Sequence, residues 1–150
     1  MNIAKVKLGK FLGSGVDGEV YAARDGKAIK ISSRELTQDN IDIFNHFIRY
    51  PNKYTVKLYS YGKCGEGYWY LMDRLIPLSK RDIDYFKSVN YVSILYNGHR
   101  IPATAPIKVK EFLRGLWLNK YYQRDPGYQN IMKDKFGNYK FIDLETFEIR

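Results

Sequence analysis

Cysteine, histidine and long apolar runs are scarce in this 150-residue sequence, and each shortage removes a class of explanation. The single cysteine, Cys64, cannot close an internal disulfide, and with only His46 and His99 beside it there is no Cys/His framework for a metal. No apolar run reaches the roughly 18 residues that a membrane-spanning helix needs. The opening MNIAKVKLGKFLG interrupts its apolar positions with lysines instead of building the apolar stretch of a signal peptide. The expectation is a soluble, cytoplasmic protein with no membrane partner. Acidic residues are in deficit too, 16 against 25 Lys and Arg, giving +9. That balance favours anionic partners such as nucleotides, nucleic acid or acidic surfaces, without choosing among them.

What is present is ordinary core material: 45% of the residues are apolar, enough for one packed domain. Fourteen tyrosines could stack on bases, yet they fall mostly in strand-like or helix-like segments, where packing explains them first. Val6 to Phe11 alternates, and Gly13, Gly15 and Gly18 interrupt the pattern. Glu19 to Ala23 and Lys27 to Ile31 then read as strands joined by Asp25-Gly26, a strong hairpin signal. Ile41, Phe44, Phe47 and Ile48 recur at helical spacing from Thr37, a candidate N-cap, to Tyr50, before Pro51. Val56 to Tyr61 and Tyr68 to Met72 predict a second antiparallel pair around the loop GKCGEG. Further on, a helix is expected over Lys80 to Val89, a loop over Asn97 to Pro106, and a helix over Val109 to Tyr122. Asn130 to Lys133 and Tyr139 to Leu144 then flank the turn DKFGN as a hairpin.

Four strings carry chemistry. GSGVDGEV, Gly13 to Val20, fits GxGxxGxV, whose glycines let backbone approach phosphate closely. A dinucleotide-binding loop of the same spacing would open a helix, whereas here a strand, a turn and another strand follow. Lys27-Ala28-Ile29-Lys30 puts a lysine on the next strand. RDPGYQN sets Asp125 and Asn130 five residues apart directly after a predicted helix; its bland reading is a turn. FIDLE ends the last strand with Asp143, which a single hairpin would return beside Asn130.

In order, spacing and strand context these strings resemble the motifs of protein kinases, over nearly the whole chain. The resemblance implies an α+β, protein-kinase-like fold: residues 1–73 as a five-stranded N-lobe with one αC-like helix, and 74–150 as hinge and reduced helical C-lobe carrying the catalytic hairpin. It implies ATP and Mg²⁺ as cofactors. Gly13, Ser14, Gly15 and Gly18 would cover the phosphates, and Lys30 would reach the α- and β-phosphates. Val20 and Ala28 would cover the adenine, with Met132 beneath it. Met72 would be the gatekeeper, with the Asp73 carbonyl and Leu75 amide facing the adenine edge. Asp42 falls near the αC acid that pairs with the lysine. Asp125 would position the acceptor hydroxyl, and Asn130 and Asp143 would hold Mg²⁺.

The departures from that pattern leave the substrate class open. The helix acid is aspartate, Gln123 replaces the catalytic-loop histidine, Gly127 stands where a lysine is common, and DLE replaces DFG. The string DPGYQN is also similar to the catalytic loop of ABC1-type atypical kinases. Seven residues follow Asp143, too few for an activation segment. Three functions are therefore carried forward: a phosphotransferase acting on a Ser, Thr, Tyr or small-molecule hydroxyl or on another copy of itself, a pseudokinase acting through nucleotide or partner binding, and a basic nucleic-acid-binding protein.

Overall fold

The computed structural model describes residues 8–15, 18–88, 103–119, 122–123 and 128–148. The chain is α+β and divides into two compact units, Met1–Asn52 with Val56–Arg74, and Lys53–Thr55 with Leu75–Arg150. Among the described residues there are three α-helices, and no helix is long and apolar enough to cross a membrane.

The first unit is an antiparallel sheet of β1 (Phe11–Gly15), β2 (Gly18–Ala22), β3 (Lys27–Ser32), β4 (Leu58–Cys64) and β5 (Gly67–Asp73), in the order β1-β2-β3-β5-β4. Asp25 and Gly26 join β2 to β3 with φ of 58° and 70°, and the Lys27 amide donates to the Arg24 carbonyl at 3.2 Å. Two positive φ values make this a turn whose twist matches the strands. Two expectations needed correction. The first strand does not stop at the glycines but runs through Gly13 and Gly15, because pairing with Val20 and Gly18 outweighs glycine's weak preference for strands. The six-residue loop GKCGEG shrinks to a two-residue turn between the paired Cys64 and Gly67, with Gly65 at φ 60°.

One helix, α1 (Gln38–Arg49), packs on this sheet. The Thr37 hydroxyl accepts from the Asn40 amide at 3.2 Å, capping its start. Ile43, Phe44 and Phe47 are buried, and the Phe44 ring lies 5.3 Å from Tyr61, 5.7 Å from Tyr68 and 5.3 Å from Tyr70. Burying a side chain such as Phe44 stabilises by about 2–3 kcal/mol, so the helix is held by its apolar face.

The second unit contains β6 (Ile76–Pro77), α2 (Lys80–Ser88), α3 (Ile107–Asn119), β7 (Tyr122–Gln123), β8 (Ile131–Lys133), β9 (Tyr139–Phe141) and β10 (Phe147–Glu148). The sheets are β6-β8-β9 and β10-β7. Helix α3 begins earlier than its apolar spacing predicts: the Lys110 amide donates to the Pro106 carbonyl at 3.0 Å, and proline costs nothing at a helix start. Phe112 anchors the core, with Phe86 at 6.0 Å and Phe141 at 5.4 Å. Residues 53–55 join this unit because the Phe141 amide donates to the Tyr54 carbonyl at 2.9 Å and Thr55 bridges Phe141. The Tyr54 ring then lies on α3 at Gly115, where a Cβ would come within 2.0 Å of it.

Candidate functional site

Strand register decides which side chains of the first unit act together. Directly paired residues share a face of a sheet, and so do residues two apart. Gly13 pairs with Val20 and Gly15 with Gly18; Val20 pairs with Lys30, Lys30 with Tyr70, and Ala28 with Met72. Gly13, Gly15, Gly18, Val20, Ala28, Lys30 and Met72 therefore occupy one face. Ser14 pairs with Glu19 and falls on the other, so its side chain is not with the set it was expected to join. Residues 16 and 17, at the hairpin tip, lie outside the described residues.

The chemistry of that face is specific. Ala28 and Met72 are buried, and Lys30 is only 5% exposed, its Nζ 5.5 Å from the centre of the Tyr70 ring. A solvated strand lysine is thereby excluded. The glycines separate into two kinds. A Cβ on Gly18 would sit 2.1 Å from the Ile31 carbonyl oxygen, so the neighbouring strand requires glycine there. A Cβ on Gly13 would meet nothing within 4 Å, so the fold itself places no demand on that position.

Asp42 is not brought to Lys30. It is exposed and accepts from Gln38 Nε2 at 2.9 Å, one turn back on α1. The helix turns Ile43, Phe44 and Phe47 to the sheet, which leaves Asp42 on the far side. At the end of β5, Asp73 Oδ1 accepts from the Tyr59 hydroxyl at 2.5 Å, and the Asp73 amide donates to Lys57 O at 3.0 Å. This bond to Asp73, then burial, push the Tyr59 phenol up to about 12. Leu75 opens the second unit and is half-buried.

In the second unit the β8–β9 hairpin sets Ile142, the residue before Asp143, against Asn130. Ile131 pairs with Phe141, and at the open end the Ile142 amide donates to the Asn130 carbonyl at 2.8 Å. Asn130 is 5% exposed. Asp143 holds φ 56° and ψ 58°, left-handed backbone that a non-glycine residue adopts at some cost. Its carbonyl accepts from the Thr146 amide at 3.0 Å and the Thr146 hydroxyl at 2.7 Å, which fixes that geometry. One amide and one carboxylate are a small oxygen donor set, which fits Mg²⁺ when phosphate and water complete its octahedron. Among the described residues no cluster of three or more His, Cys, Asp or Glu provides a protein-only cage. Met132, half-exposed, pairs with Pro77 and Lys140, and Glu145 is buried. Asp125 lies outside the described residues.

A different polar centre was not anticipated. The Asp82 carboxylate receives Lys133 Nζ at 2.7 Å, the Tyr139 hydroxyl at 2.7 Å, and the Ser79 hydroxyl and amide at 2.9 and 3.1 Å. Burial pushes this carboxyl up, but the bonds from Lys133, Tyr139 and Ser79 outweigh it and hold Asp82 at about 2. Burial and the bond to Asp82 push the Tyr139 phenol well above its ordinary range. The local trace in the sequence is Ser79-x-x-Asp82, a capping box at the start of α2. An open cavity of about 460 Å³ in the first unit, lined in part by Ser33, Glu35, Lys63 and Glu66, contains none of the expected site residues. No family model matches the chain, and no curated protein matches it.

Proposed function

We propose that this chain is an ATP- and Mg²⁺-dependent phosphotransferase with a protein-kinase-like fold. The observation that carries the reading is the single face shared by Gly13, Gly15, Gly18, Val20, Ala28, Lys30 and Met72. Phosphoryl transfer asks a protein mainly for positioning and charge stabilisation. On this reading the β1–β2 backbone approaches the phosphates, and Gly13, where a Cβ would meet nothing within 4 Å, leaves that approach open. Lys30 supplies the positive charge, and small Ala28 leaves room for a flat base against Val20 and Met72. Asn130 and Asp143 would hold Mg²⁺, which when bound neutralises phosphate charge. The strained backbone at Asp143 supports a functional role, since such strain concentrates at sites that use it. Asp125 is assigned to the acceptor hydroxyl, on Ser, Thr, Tyr or a small molecule, by the resemblance alone. Of the tyrosines on which the nucleic-acid alternative drew, Tyr68, Tyr70 and Tyr139 are core residues and offer no ring to a base, whereas Tyr50 is exposed.

Asp42 favours a second reading. It is engaged by Gln38 and so is not the acid that the resemblance pairs with Lys30, a departure that fits a pseudokinase binding nucleotide without transferring phosphate. Calorimetric titration with ATP, with and without Mg²⁺, tests the shared core of both readings. Lys30→Ala and Asp143→Asn are each expected to weaken binding, and saturating wild type at a hundredfold excess over Kd to add about 2.7 kcal/mol of stability. Absence of nucleotide binding by wild type under both conditions would falsify the nucleotide site.

A further inference from the structure

Tyr59 is the extra residue of a β-bulge. Leu58 pairs with Met72 and Ser60 already with Leu71, so Tyr59 has no place in the ladder. Bulges re-aim side chains, and this one delivers the Tyr59 hydroxyl to Asp73 Oδ1 at 2.5 Å. The ring is held where it is: Lys27 Nζ lies 4.6 Å and Lys57 Nζ 5.1 Å from its centre. The phenol is held far above neutral pH, so it remains a donor under ordinary conditions.

Asp73 is thus fixed at three points. Its side chain is bound by Tyr59, its amide donates to Lys57 O at 3.0 Å, and the next amide, Arg74, donates to Gly26 O at 3.0 Å. The described peptides are trans, so the Asp73 carbonyl points opposite the Arg74 N–H, away from Gly26 and the β2–β3 turn. We infer that Tyr59 is a positioning residue for the nucleobase, holding the Asp73 carbonyl in the direction that receives the 6-amino group of adenine. The inference rests on the nucleotide reading above. A fixed carbonyl discriminates by chemistry: adenine presents a donor at that edge, whereas guanine presents an oxygen that the carbonyl repels. Tyr59 therefore acts on base selectivity through Asp73, and has no part in binding phosphate.

Tyr59→Phe deletes the hydroxyl and keeps the ring between its lysines. In the ligand-free protein, hydrogen exchange at the Asp73 and Arg74 amides is expected to accelerate about tenfold. By calorimetry, ATP affinity should fall about 5- to 10-fold and the preference for ATP over GTP shrink in step, while affinity for inorganic tripolyphosphate stays at the wild-type value. A purely structural role would weaken all three ligands together. Unchanged ATP affinity and selectivity in Tyr59→Phe, in a protein whose wild type binds ATP, overturns the inference, as does an equal loss for tripolyphosphate. If wild type binds no ATP, the nucleotide reading and the nucleobase role fall together. Accelerated exchange in the ligand-free variant would then establish only that Tyr59 holds the end of β5.

Discussion

Replacing Asp82 with asparagine preserves shape and removes charge at a carboxylate of the second unit that Lys133, Tyr139 and Ser79 all engage. The wild-type carboxylate is 8% exposed and faces Lys133, itself 26% exposed, at 2.7 Å. Its ordinary value of 3.8 falls to about 2, and a shift of this size corresponds to roughly 2–3 kcal/mol of stability at neutral pH. Asparagine would leave the Lys133 ammonium facing an amide and turn one donor towards a site built from donors. Breaking a buried pair costs about 3–5 kcal/mol, and partial access of Lys133 to water selects the lower end, about 3 kcal/mol. For a chain of this length that corresponds to a fall in Tm of roughly 6–12 °C, readable by circular dichroism. The sign of the pH dependence follows from the depressed value. The stabilisation is complete above the unfolded pKa and is lost as pH falls through the folded one, so the gap between wild type and Asp82→Asn should narrow from about pH 5 towards about pH 2. A gap below about 1 °C at neutral pH, or one that does not narrow on acidification, refutes the assigned role.

Gly115→Ala should improve intrinsic helix propensity yet destabilise by about 1–3 kcal/mol, because the new Cβ meets the Tyr54 ring at 2.0 Å. In a Tyr54→Ala background the same change should become neutral or stabilising, which urea denaturation of the four proteins will decide. Gly13 and Gly18 of the β1–β2 hairpin should separate stability from binding. Gly18→Ala is expected to lower Tm, since its Cβ meets the Ile31 carbonyl at 2.1 Å, whereas Gly13→Ala should leave Tm unchanged and weaken ATP.

Local chemistry was legible in the sequence where a few neighbouring residues determine the outcome. Asp25-Gly26 could be read because a turn with two positive φ values selects those residue types, and α1 because Thr37, the apolar spacing and Pro51 agree. The hairpin that sets Ile142 against Asn130 was legible from two short strand-like runs flanking DKFGN. Asp82 was missed because its partner Tyr139 lies 57 residues away, and a capping box alone does not announce a buried ion pair. Gly115 was missed for the same reason, its cause being a tyrosine from a distant segment. Asp42 was assigned by counting along the chain, but helix rotation is set by Phe44 and Phe47 and turns it outward. The two-residue strands β6, β7 and β10 are too short to leave a periodic trace.

The central claim is transfer of a phosphoryl group, and it is tested most directly with ATP labelled at the γ-phosphate, incubated with the protein alone and with cell extract. Label is expected on the protein itself or on an acceptor in the extract, in the presence of Mg²⁺ only. Asp125→Asn should abolish labelling while leaving ATP binding largely intact, and Asp143→Asn should damage both. If wild type binds Mg²⁺-ATP yet labels nothing, or if Asp125→Asn labels as well as wild type, the phosphotransferase assignment is contradicted and the chain is a nucleotide-binding module.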